Sequence, residues 1–245
     1  MSSLARVRET LAMGLREYAR TPVLVGLLVV LPAYFVGVFV LIAPDTTVPL
    51  TIDGTRTTAT LIAIYGALLV PTVGALIGGI AGLFVTLSAT EADRRLTIAG
   101  LDPVELLAAR FSLVAAAGAL GVAVATGVLA VTVVPADPAA FVLAGVLCAV
   151  IYGLLGTLAG LVVGRLAGVY LMLLAPMMDI VFFQNPMVED AHWVASVLPG
   201  RFVADLAIDA AIGGSIALDP LGPAILECGA IGVLAAFAYY GRITA

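Results

Sequence analysis

Residues Leu61 to Ala89 read LIAIYGALLVPTVGALIGGIAGLFVTLSA, without one charged side chain. Drawn out as an α-helix at about 1.5 Å per residue, the stretch reaches roughly 43 Å. The hydrocarbon core of a bilayer is about 30 Å thick. The segment therefore tilts, kinks at Pro71 or projects past the membrane. Gly74, Gly78 and Gly82 recur every fourth residue along it, which lets another helix approach closely. The rest of the chain has the same character. Of 245 residues 62% are hydrophobic and only 11% charged, with a mean hydropathy of +1.19. A water-soluble globule could not hide so much apolar surface, which excludes a soluble enzyme or binding module. The composition predicts an all-α membrane protein with lipid around most of its surface.

Working outward, residues 22–43 form an uncharged first span with Pro32 inside it. The 61–89 stretch is the second span, and 104–134, 139–163, 168–183 and 220–240 complete six. Between the first two, residues 44–60 are polar, and their Thr- and Pro-rich alternation suits a small hairpin outside the membrane. Before the first span, Leu4, Val7, Leu11, Leu15 and Tyr18 recur at helical steps among arginines and glutamates. That pattern is an amphipathic helix over 4–20, lying in the membrane interface. Gly156, Gly160, Gly164 and Gly168 make a second four-residue ladder, more suited to packing than to a pore. The short link at Gly164–Gly168 predicts that spans four and five pair antiparallel. Residues 184–219 are too polar for a straight span, yet they hold two half-apolar helical pieces split at Pro199-Gly200. Such a pair either lies on the membrane or dips in and returns. Cys148 and Cys228 fall in apolar stretches and read as buried small hydrophobes, with no disulfide or metal site.

Charge sets topology and excludes chemistry. All 11 basic residues are arginine. Without lysine there is no P-loop and no Schiff base, so the chain cannot be a conventional ATPase by itself. A net charge of -5 suggests no nucleic-acid role. Nine arginines (6, 8, 16, 20, 94, 95, 110, 165 and 242) fall on one side of the six spans. The positive-inside rule makes that side cytoplasmic, with both termini inside a cell membrane and residues 184–219 facing outward.

The stretch Leu87 to Phe111 reads LSATEADRRLTIAGLDPVELLAARF. Glu91 and Arg95 stand one turn apart on a short charged helix that Gly100 ends. Asp102 is a good N-cap for a new helix with Pro103 at its first position and Glu105 at its third. Residues 90–103 therefore read either as a capped element that receives a push from a motor or as a solvated loop with two caps. Two acids fall within spans, where carboxylates are costly and default to function. Glu227, about two turns into the sixth span, is the stronger candidate for a substrate pathway; it would contact a cationic cargo group or sit protonated against a neighbouring helix. Asp179 is the second candidate for that pathway, though it reads mainly as the marker of where the fifth span ends.

The order of these elements resembles the permease subunit of ABC-2 type exporters. The matching parts are Leu4–Arg20, Glu91–Arg110 and Pro186–Ile216, which correspond to an interfacial helix, a coupling helix and a re-entrant pair before the sixth span. Family members often carry a charged helix, then Gly-Thr-Leu-Glu, then a Leu-X-Pro start to span three. This chain keeps Arg94-Arg95-Leu96-Thr97 and Gly100-Leu101-Asp102-Pro103-Val104-Glu105-Leu106-Leu107, but lacks the Gly-Thr-Leu-Glu order. The resemblance implies one transmembrane domain over residues 1–245, paired with a second copy or a homologous half. It implies a separate ATP-binding cassette subunit at Glu91, Arg94, Arg95, Gly100, Asp102, Pro103 and Glu105. ATP and Mg would be bound by that partner, with no cofactor in this chain. Export as the direction comes from the resemblance alone. The rival readings are an ion-coupled secondary transporter and an intramembrane enzyme. The latter is poorly served by a chain whose one histidine, His192, lies in the polar 184–219 segment.

Overall fold

The computed structural model describes residues 22–52, 55–188, 193–213 and 218–244. The helix expected at 4–20 lies outside the described residues, as does His192. The chain forms α1 (Pro22–Ile42), a hairpin of β1 (Thr47–Ile52) and β2 (Thr55–Thr60), then α2 (Leu61–Ile98), α3 (Pro103–Leu129), α4 (Pro138–Val162) and α5 (Arg165–Pro176). There follow α6 (Arg201–Ile208) and α7 (Leu218–Thr244). A π-helical stretch, Met177–Phe183, continues α5, and another, Asp209–Gly213, continues α6. Among the described residues five helices are long and apolar enough to cross a membrane: α2, α3, α4, α5 with its π-helical continuation, and α7. Within α1 the shorter apolar run Leu28–Ile42 adds to them. The architecture is that of an all-α multi-pass membrane protein.

At the centre stands α2, packed by α1, α3, α4, α5, α6 and α7. Its apolar part has no polar face, so it is buried all round from Gly66 to Leu83. Small residues set the separation from α4. A Cβ on Gly78 would meet the Ala149 carbonyl oxygen at 2.0 Å, and one on Gly156 the Gly79 oxygen at 2.0 Å. Gly74 faces Val122 and the Gly145 carbonyl, and Gly160 faces Thr86 and the Leu83 carbonyl. The second ladder does not run on to Gly168 as one face. The α4 helix ends at Val162, and Gly164 becomes the N-cap of α5 with nothing within 4 Å of its missing side chain. Gly168 seats instead on the Leu83 side chain of α2. Correspondingly, α5 touches α4 but leans more on α2.

Helix ends follow local chemistry. Thr60 caps α2, its Oγ1 accepting from Ala63 N at 3.2 Å. The α3 helix stops at Leu129, short of the expected 134, where β-branched Val131 to Val134 lead into Pro135. Asp137 caps α4 by accepting from Ala139 N and Ala140 N at 3.1 and 3.0 Å. The two strands pair antiparallel with Thr47 opposite Thr60. Leu50 and Ala59 of the hairpin close over Ile64 of α2, with Ile212 beside them.

The α6 helix is not peripheral. Val203, Leu206 and Ala207 are fully buried, and the helix packs on α2, α4 and α7. Its continuation is tied to the start of α4 by Ala136 N and Asp137 N, which donate to the Ala211 and Ala210 carbonyls at 3.1 and 2.8 Å.

Candidate functional site

One end of the bundle collects arginines. Its most prominent feature is the α2–α3 hairpin. Between Ala89 and Ile98 there is neither proline nor glycine, so α2 continues unbroken to Ile98, well past the 61–89 expected for it. The Ser88 hydroxyl donates to the Phe84 carbonyl at 2.7 Å, and that of Thr90 to the Thr86 carbonyl. The helix then closes in a Schellman turn: Leu101 N donates to Leu96 O and Gly100 N to Thr97 O, both at 3.0 Å. Gly100 takes φ +94°, a left-handed conformation that favours glycine. Asp102 Oδ1 accepts from Val104 N at 2.9 Å and Pro103 opens α3. Residues 90–103 are thus the end of α2 and a tight turn, with no separate helix.

Glu91 and Arg95 pair at 3.3 Å on the exposed face. An exposed pair of this kind contributes little to stability. Thr90, Glu91, Arg94 and Arg242 line a concavity of about 420 Å3 between α2 and α7. Arg165 stacks over Phe84, its guanidinium carbon 4.9 Å from the ring centroid. Leu96, Ile98 and Val104 are exposed at the tip, Ile98 to 78%. Glu105, by contrast, is buried at the base of the hairpin.

That base is held by a group not expected from the sequence. Asp93 is fully buried. It accepts from Arg110 Nε at 3.1 Å, from Arg110 Nη2 at 2.7 Å and from Tyr239 OH at 2.7 Å. A two-pronged guanidinium contact of this kind is among the stronger polar interactions. It joins α2, α3 and α7. Leu106, Leu107, Tyr239 and Ile243 pack around it. The signal was present: Gly82, Thr86, Ala89 and Asp93 are spaced four, three and four apart, so Asp93 extends the buried stripe of α2.

Asp179 forms a second polar node, deep in the bundle. It is 2% exposed and sits in the π-helical stretch after α5. Its Oδ2 accepts from Tyr152 OH at 2.5 Å and from Gly200 N at 2.6 Å, and its Oδ1 from Gln184 Nε2 at 3.1 Å. The Gln184 amide also donates to the Ala195 carbonyl at 3.0 Å. Tyr152 lies near the middle of α4, so Asp179 is no mere boundary marker. It fastens the turn before α6 to the body of α4. A side chain at 200 would strike it, since a Cβ there would lie 2.6 Å from Oδ2. Glu227 is half-buried on α7, and its Oε2 is buried without a hydrogen-bond partner. Cys148 is buried and Cys228 half-buried, both as free thiols.

Asp179→Ala would leave the Tyr152 hydroxyl and the Gly200 N–H buried without acceptors. Such a loss is expected to lower stability by about 2–3 kcal/mol. Thermal melts followed by circular dichroism in detergent would measure it, and an unchanged midpoint would count against the node.

Comparison of the chain with family models, with curated proteins and with solved structures finds no match.

Proposed function

We propose that the chain is the membrane-spanning permease subunit of an ABC-2 type exporter, worked by a separate ATP-binding cassette subunit. The observation that carries this reading is the α2–α3 hairpin. A helix enclosed by the bundle continues without a break to an exposed tip bearing Arg94, Arg95, Leu96, Ile98 and Val104. The tip combines charge with exposed apolar side chains, the composition of a docking surface. At its base Asp93, Arg110 and Tyr239 lock it to α3 and α7. A push on the tip would therefore reach three helices together. Motor subunits that bind one conformation better than another would shift the permease between inward- and outward-facing states.

In this reading α1 and the five longer helices make six spans, and the arginine-bearing end is cytoplasmic. The α6 helix and the turn before it re-enter the bundle, supported by their burial against α2, α4 and α7. A second copy or a homologous half completes the pathway. ATP and Mg belong to the partner, and this chain is not an enzyme. Glu227 lines the route for cargo.

A neighbouring reading frame with a P-loop is expected to encode the ATP-binding subunit, and the test is co-expression of the two chains. The two should co-purify, and ATP hydrolysis should require the complex. Ile98→Asp with Arg95→Glu should abolish the association while leaving the permease folded. Glu227→Gln is expected to impair export several-fold with assembly intact; unchanged export in vesicles would remove Glu227 from the pathway. The ion-coupled alternative draws on Asp179, a buried carboxylate at a break in regular helix. Cargo movement by the purified chain alone, driven by an ion gradient, would favour it.

A further inference from the structure

The cleft beside Asp179 has no part in the reading above. It measures about 450 Å3, within the range of small-molecule sites. Its walls come from α4, α5 and the Leu198-Pro199 turn, and are almost wholly apolar: Leu155, Leu158, Val162, Leu171 and Met172 among them. Among the described residues that line it, Asp179 and Tyr152 supply the polar groups and none is basic. An acidic group in an apolar cleft selects by charge. An anion would face Asp179 unpaired. A plain acyl chain would fill the walls and offer the carboxylate nothing, at the cost of burying a polar group further. A carboxylate has about four acceptor positions, and protein donors take three of those on Asp179. One position is left for an N–H donor.

We propose that this cleft binds amphiphilic organic cations, an ammonium head at Asp179 and an apolar body along α4 and α5. The head meets a charge-assisted acceptor, and the Tyr152 ring adds an aromatic surface that favours cations. Val162 and Leu171, both exposed at the margin, form an apolar approach along which such a molecule enters from the lipid side. Binding here does not depend on the permease reading; combined with it, cations of this class are substrates or modulators of the transporter.

The experiment uses the whole chain in nanodiscs of neutral phosphatidylcholine, with empty nanodiscs as the baseline. The probe is radiolabelled dimethyldodecylammonium, and dodecanol and dodecyl sulfate serve as the neutral and anionic controls. Saturable binding of the ammonium, one per chain, is expected, with little of either control. Asp179→Asn should weaken it about tenfold or more, the worth of one charge-assisted hydrogen bond. Ala159→Trp fills the cleft without touching the bonds to Asp179, and should weaken ammonium binding as strongly. It keeps the test intact if the Asp179 variant fails to fold. Dodecanol binding as tightly as the ammonium, or ammonium binding unchanged in Ala159→Trp, would overturn the proposal. Cation binding by a chain that recruits no ATP-binding subunit would sink the permease reading and spare this one; recruitment without cation binding would do the reverse.

Discussion

Gly82→Ala is expected to destabilise the protein by about 3 kcal/mol or more, the upper range for an overpacked interior. The added Cβ would lie 1.9 Å from the Gly153 carbonyl oxygen and 3.0 Å from Thr157 N. Both are backbone atoms of α4, so no side chain can rotate out of the way. Relief requires α2 and α4 to move apart. That movement would also break the hydrogen bond from the Thr86 hydroxyl to the Thr157 carbonyl, 3.2 Å long. Without a hydrophobic drive between helices in lipid, close packing and such bonds are what hold a pair together. Gly164→Ala is the control, because open space surrounds that position. It should stay within about 0.5 kcal/mol of the parent. Melting in detergent, followed by size-exclusion fluorescence, compares the two. Equal midpoints for the parent and Gly82→Ala would show that the ladder is not the contact described.

Arg110→Leu should cost about 3–5 kcal/mol, the penalty for stranding a buried carboxylate. Asp93 would keep only the Tyr239 hydroxyl. Replacing the pair together, Asp93→Asn with Arg110→Leu, should recover much of the loss. Removing both charges is cheaper than removing one. Tyr239→Phe deletes a single donor and should cost about 1 kcal/mol. A double-mutant cycle on residues 93 and 110 gives the coupling directly. A coupling near zero would mean the base of the hairpin is held by its apolar neighbours, not by the ion pair. The double variant also bears on transport. If the triad conveys motion, a stable but charge-free base should uncouple hydrolysis by the partner from export.

The positions of the apolar segments were readable because lipid imposes a length and a composition that survive in a single sequence. The turn between α2 and α3 was readable for a different reason. Gly100, Asp102 and Pro103 act on backbone atoms two to five residues away, so their meaning is local. Asp93 and Asp179 were not readable in that way. Their partners, Tyr239 and Gly200, are 146 and 21 residues off, and neither acid carries a mark of its own. Asp93 sits in a charged run that looks solvated until the spacing from Gly82 is counted. Asp179 precedes a polar stretch and so resembled an end. The burial of α6 was hidden for a related cause. Its eight residues are too few to announce a span, and only the cavity left by α2, α4 and α7 accounts for them.

The unbroken run of α2 from bundle to tip has a bearing on how such a hairpin can change over generations. Each residue added to a helix rotates everything beyond it by about 100°. One residue gained after Ala89 would swing Asp93 away from Arg110 and turn the tip arginines toward a new compass bearing. Seven gained together would return the heading to within about 20° and merely lengthen the lever by about two turns. Angular phase, and not reach, is the quantity this element has to preserve.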